Sequence, residues 1–143
     1  MIVLIPPPPI LAKAASVYRI FLDSGLSMEQ ALKLTTTILN LSKLHQRALR
    51  RAIHPLSFVS NALCKRIPPC EATDLELAVD GFNVLHTIEA AIRKKPLYLS
   101  DDLMLRDTLG VHGKIRIDNA LNNAITLMIS FLKKLQVLSL IHI

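Results

Sequence analysis

Tryptophan is missing from this 143-residue chain, and only four Phe and two Tyr supply aromatic rings. Its core must therefore be aliphatic, which argues against broad platforms for stacking bases or acyl groups. Cysteine is nearly absent too. Cys64 and Cys70 are too few for a disulfide framework or a four-ligand zinc site, and they suit a reducing cytosol. No apolar run reaches the roughly 20 residues that span a bilayer. Residues 1–12 are uncharged up to Ala12 but are split by four consecutive prolines, and the uncharged stretch 119–132 is short and holds Asn122 and Asn123. The basic start and unbroken apolar centre of a secretory signal are lacking as well. The expectation is a cytoplasmic protein with no membrane partner.

What is present is aliphatic side chain and positive charge. The chain is 51% hydrophobic with a mean hydropathy of +0.40, and 20% charged. That is enough for one ordinary domain or two small ones, and it argues against disorder. The net charge of +6 is unevenly placed. Residues 1–70 hold nine Lys/Arg against two acids, whereas residues 71–143 hold eight against nine. A basic front half and an acid-bearing back half suggest a nucleic-acid-facing part joined to an acidic site, with solvated surface charge as the alternative.

Residues 1–12 read as a Pro-rich extended lead-in, followed by a helical, basic module over 13–67. A first helix over 13–22 is stopped by Asp23-Ser24-Gly25. Ser27, with Gln30 three residues on, forms a capping box for a second helix whose apolar positions are Ala31, Leu34, Ile38 and Leu41. Ser42 caps a third helix that ends before His54-Pro55. On it, Lys43, Arg47, Arg50 and Arg51 fall within an arc of about 100° at 100° per residue. Leu44, Ala48, Leu49, Ala52 and Ile53 cover the other side. Two helices with a short turn and a basic outer face permit a helix-turn-helix-like unit. With no base-reading amide beyond Gln46, phosphate contact is the stronger expectation. A solvated face on a small bundle is the plainer alternative.

Pro68-Pro69 marks a boundary, and 74–137 reads as a partial α/β domain. A strand over 75–79 runs into Asp80-Gly81, a helix follows over 84–93, and Pro96 breaks it. Leu97-Tyr98-Leu99 makes a second strand that ends at Asp101-Asp102, and a final helix covers 117–135. Strands of one parallel sheet bring their ends to a common edge. Converging carboxylates there would hold Mg²⁺ or Mn²⁺ and orient a water for attack on a phosphodiester. Asp80, Asp101 and Asp107 are the candidate catalytic and metal-binding residues, with Asp102 an alternate ligand and Asn83 and Arg106 as substrate-orienting groups; capping of the helix by Asn83 and pairing of Arg106 with Asp102 or Asp107 are the alternatives. A turn aspartate at 80 and helix N-caps at 101–102 are the plainer alternatives. No cofactor-binding residues beyond metal ligands are indicated. Gly110-Val111-His112-Gly113 is not a phosphate loop, because no Lys-Ser/Thr follows it. Glu89 and Arg93 have helical pair spacing.

The string Val79-Asp80-Gly81-Phe82-Asn83 is similar to the Asp-Gly-x-Asn opening of PIN/NYN-type ribonucleases. Over residues 14–137 the chain resembles an uncharacterised prokaryotic family, domain of unknown function four hundred and thirty-four, with its associated C-terminal domain. The matching blocks are Tyr18-Arg19-Ile20-Phe21-Leu22-Asp23-Ser24-Gly25, residues 80–89, and Lys95-Pro96-Leu97-Tyr98-Leu99-Ser100-Asp101-Asp102 with Arg106-Asp107. Leu103 departs from that pattern, where a glycine is expected. The resemblance implies a metal-binding Asp80 and an incomplete PIN-like parallel sheet. Residues 138–143 look like a translated sequencing adapter, with an apolar tail completing the last helix as the alternative.

The expected fold is thus α/β, or α+β overall: an all-α front module followed by an incomplete PIN-like parallel sheet with flanking helices. The expected function is a metal-dependent nuclease, acting on RNA rather than DNA in a full-length protein and inactive as this fragment. The alternative is a non-catalytic nucleic-acid-binding or regulatory protein that uses the basic helix 43–53.

Overall fold

A computed structural model describes residues 8–107, 117–136 and 139–142. Residues 1–7 of the lead-in, the loop at 110–113, and positions 138 and 143 lie outside the described residues. In chain order the elements are α1 (Pro9–Asp23), α2 (Met28–Leu39), α3 (Lys43–Ala52), α4 (Leu56–Cys64), β1 (Glu76–Val79), α5 (Gly81–Ile92), β2 (Leu97–Leu99), β3 (Leu105–Asp107), α6 (Asn119–Leu135) and β4 (Ser139–His142). The result is a helix-rich α+β architecture. It divides into two compact units: residues 1–65 with 96–110, and residues 66–95 with 111–143.

In the first unit, local sequence signals set the helix ends. Pro9 occupies the first turn of α1, where a missing N–H costs nothing, so the helix starts four residues ahead of the expected Lys13. At its other end Gly25 adopts φ +90°. Its N–H donates to the Leu22 carbonyl at 3.0 Å, and the Leu26 N–H donates to Phe21 at 3.2 Å, which closes a Schellman turn. Ser27 and Gln30 form the expected capping box on α2, and Asn40 ends that helix in the left-handed region at φ 48°. The Ser42 hydroxyl accepts from the His45 N–H at 3.3 Å and caps α3. Helix α4 begins directly after Pro55 and was not legible from periodicity.

The core of this unit is aliphatic apart from one ring. Leu11, Ala14, Tyr18 and Leu22 of α1 pack with Ala31, Leu41, Ala48 and Leu49. The spacing of the α1 residues places them on one helical stripe. Thr35 is fully buried, and its hydroxyl donates back to the Ala31 carbonyl at 2.8 Å. Tyr18 is also fully buried; burial pushes its phenol above the ordinary value of 10.0, against an opposing pull from Arg50.

Strands β2 and β3 complete the first unit as an antiparallel hairpin, pairing Leu97 with Asp107, Tyr98 with Arg106 and Leu99 with Leu105. The turn closes through Leu103 N–H to Ser100 carbonyl at 3.0 Å and Ser100 N–H to Met104 carbonyl at 2.9 Å. Leu103 sits at φ 62°, the position where glycine is favoured. The Asp101 N–H and the Ser100 hydroxyl both donate to the Ala52 carbonyl, at 3.0 and 2.9 Å, and fasten the hairpin to the end of α3.

In the second unit, α5 packs on α6, and Ala90 of the first and Leu121 and Ala124 of the second are buried. Strand β1 pairs in parallel with β4, with Glu76 opposite Ser139 and Val79 opposite His142. The expected PIN-like parallel sheet is therefore corrected. Strands β1 and β2 are not partners; each described sheet has two strands. The physical reason is proximity along the chain: the short link 100–104 closes the β2–β3 hairpin at low entropic cost, whereas residues 80–96 separate β1 from β2.

Candidate functional site

Helix α3 presents the basic face anticipated from its periodicity. Ala48, Leu49 and Ala52 are buried, so Lys43, Arg47 and Arg50 face outward. Among the described residues these three form no ion pair within the protein. Arg50 and Arg51 lie in the last turn, where the helix dipole favours positive charge. Gln46, the one amide placed for reading base edges, is already engaged: its side-chain N–H donates to the Leu41 carbonyl at 3.0 Å. The face offers cations without a free side-chain amide of its own.

Arg51 is held differently from its neighbours. It lies 3.1 Å from the Asp107 carboxylate at the end of β3. Asp102 is paired with Arg106 at 2.5 Å and also accepts the Met104 N–H at 3.0 Å. Burial pushes the Asp102 carboxyl up, but hydrogen bonds from Met104, Arg106 and Ser100 outweigh it and hold the group below its ordinary value of 3.8. Asp101 faces four polar groups. Its Oδ2 takes the His54 backbone N–H at 2.7 Å and the Arg19 guanidinium, while Oδ1 lies 2.7 Å from His54 Nδ1 and 3.3 Å from Ser100 Oγ. The His54 ring in turn stacks on Phe58, with centroids 4.8 Å apart.

The expected acids are thus brought together only in part. Asp101 follows β2 at the turn, whereas Asp107 pairs with Leu97 at the open end of the same hairpin. Each of the three hairpin carboxylates meets an arginine. A divalent cation entering there would have to displace guanidinium groups, so the donor set as folded does not fit a resident metal. Among the described residues, no three His, Cys, Asp or Glu side chains form a metal-holding group.

Asp80 belongs to the second unit and caps α5. Its Oδ1 accepts the Asn83 N–H at 3.2 Å and its Oδ2 accepts the Asn83 side-chain amide at 2.6 Å. Asn83 is therefore bound to Asp80 itself. Asp118 caps α6 in the same way through Ala120 and Leu121 N–H groups at 3.0 and 3.2 Å. Arg93 links Asp118, at 2.5 Å, to Glu89, with Nε 2.9 Å from Oε1. These contacts, led by Arg93, hold the Asp118 carboxyl below its ordinary value of 3.8. The Glu89–Arg93 pair has its expected spacing and adds a link that spacing did not show.

Arg19 and His54 are the polar residues that sequence reasoning left without a role. Arg19 stands 82 positions from Asp101, and nothing local in the chain announces that pairing. The Pro55 that follows His54 marked a helix end, but not a partner.

Fold and site together define a helix-rich α+β protein with a basic helix and a hairpin of arginine-paired acids. The chain belongs to the family described as "Domain of unknown function (DUF5616)", which matches residues 69–143. This corrects the expected membership of domain of unknown function four hundred and thirty-four, along with its PIN/NYN-like domain. The Asp-Gly-x-Asn string that suggested a PIN/NYN domain is a short strand-to-helix junction, too small to separate one family from another. The chain is also 26% identical over 133 residues to an uncharacterized protein of Methanocaldococcus jannaschii. That match covers 93% of this chain and 64% of the relative's length. No solved structure matches the chain. No described helix is long and apolar enough to cross a membrane.

Proposed function

We propose that this protein is a nucleic-acid-binding module that grips phosphate backbone through α3, with RNA as the expected partner. The observation that carries this is the contrast in charge partnership within the first unit. Lys43, Arg47 and Arg50 stand exposed on one arc of α3, while Asp101, Asp102 and Asp107 are matched to Arg19, Arg106 and Arg51. Cations without ion-pair partners among the described residues are available to phosphates, and their binding releases counterions from the nucleic acid. The engagement of Gln46 with Leu41 supports backbone contact over base readout.

The metal-dependent nuclease alternative, with Mg²⁺ or Mn²⁺ on Asp80, Asp101 and Asp107, has less support. Arginine pairing neutralises the hairpin carboxylates, and Asp80 works as a helix cap. The deciding experiment is a titration of labelled RNA followed by anisotropy at several salt concentrations, with DNA alongside. The proposal expects binding that weakens with salt and with R47Q or R50Q, and no strand cleavage on adding Mg²⁺ or Mn²⁺. Metal-dependent cleavage lost in D80N would favour the nuclease instead.

A further inference from the structure

Arg51 shares the arc of α3 that carries Lys43, Arg47 and Arg50, but its guanidinium faces Asp107 at 3.1 Å. The Asp107 side chain is 5% exposed and that of Arg51 is 31% exposed. The carboxylate thus lies beneath the surface and the guanidinium at it. We infer that Asp107 is an internal phosphate substitute, which occupies Arg51 and withholds the fourth cation of the α3 face from nucleic acid. The inference rests on the reading of α3 as a phosphate-binding surface and adds the regulation of that surface.

Arg51 meets Asp107 through one Nη2–Oδ2 charge contact, and a phosphate oxygen attracts the same guanidinium, so the two compete for one arginine. A carboxylate beneath the surface is poorly screened by salt and holds its partner more firmly than an exposed one. The hairpin that carries Asp107 is anchored elsewhere. Asp101 binds Arg19 and His54, and Ser100 binds Ala52. The Arg51–Asp107 pair can therefore open without undocking the hairpin. In the resting protein α3 offers three cations to phosphate, and a fourth becomes available only when Asp107 is neutralised or outcompeted.

The test measures the slope of log affinity against log salt on a mixed-sequence single-stranded RNA. It compares the wild-type chain with R47Q, R51Q, D107N and the R51Q/D107N double variant. Each phosphate contact contributes about 0.7 to the slope for a single strand. R47Q lowers the slope by about 0.7, whereas R51Q leaves slope and affinity at the wild-type values. D107N steepens the slope by about 0.7, so its advantage over wild type widens about fivefold per tenfold drop in salt. The double variant returns to wild-type behaviour. If R51Q loses as much as R47Q, or a folded D107N leaves the slope unchanged, Asp107 does not withhold Arg51, and the inference fails while phosphate binding by α3 stands. If R47Q has no effect, or no salt-dependent binding exists, the underlying reading fails instead. Should D107N fail to fold, the comparison of R51Q with R47Q decides the matter alone.

Discussion

Asp101 binds His54 twice, taking its backbone N–H at 2.7 Å on one oxygen and facing its ring Nδ1 at 2.7 Å with the other. With Arg19 on the same carboxylate, one side chain joins α1, the α3–α4 junction and the hairpin. A residue whose type and position suggested catalysis is thereby a cross-link of the fold. Removing it leaves an arginine, a backbone N–H and a histidine ring without their acceptor. Asp101→Ala is expected to lower stability by about 3 kcal/mol, and Asp101→Asn by less, because one acceptor oxygen survives. Urea denaturation of both variants checks this; wild-type stability in Asp101→Ala would refute the cross-link.

Local signals were legible in the sequence, and long-range pairings were not. The Ser27–Gln30 box, the Ser42 cap and the Gly25 stop each depend on residues a few positions apart, and all three form. The second strand, Leu97–Leu99, falls where its apolar run and the preceding Pro96 put it. Its partner was misjudged, since three residues contain no record of which strand they pair with. The Arg106–Asp102 pair lies four positions apart and is one of the readings the sequence allows, but Arg19 and Arg51 reach Asp101 and Asp107 from α1 and α3, so those two pairings are tertiary facts. Asp101-Asp102 do follow a strand end, but they share no parallel edge with Asp80. That edge required β1 and β2 to be neighbours.

Acid titration reports on the hydrogen-bonded carboxylates. Asp102 is held below its ordinary value of 3.8 in the folded protein, against the upward push of burial, and Asp118 is held below 3.8 by Arg93 and its cap contacts. On acidification the unfolded chain takes up these protons first. Their contribution is therefore complete above about pH 4 and is lost as pH falls through the folded values. The urea midpoint is expected to fall below about pH 4, less steeply in D102N than in wild type. A midpoint that rises on acidification would contradict the assignment.

Asp80 offers a separate check, because capping and metal binding respond differently to the same substitutions. As the N-cap of α5 it accepts hydrogen bonds from Asn83, a role that asparagine also fills. Asp80→Ala is expected to cost about 1 kcal/mol, and Asp80→Asn only a few tenths. Thermal melts distinguish the two. Calorimetry with Mn²⁺ on the same proteins should show no site that depends on Asp80; saturable binding lost in Asp80→Asn would restore a ligand role.

The central claim is that α3 binds phosphate through Lys43, Arg47 and Arg50. Its most direct measurement is the salt dependence of RNA affinity in the wild-type chain and in the triple variant K43Q/R47Q/R50Q. Three contacts predict a log–log slope of about −2 for a single strand, with the triple variant close to zero at unchanged stability. A steep slope that survives in the folded triple variant, or no RNA binding at any salt concentration, would contradict the claim.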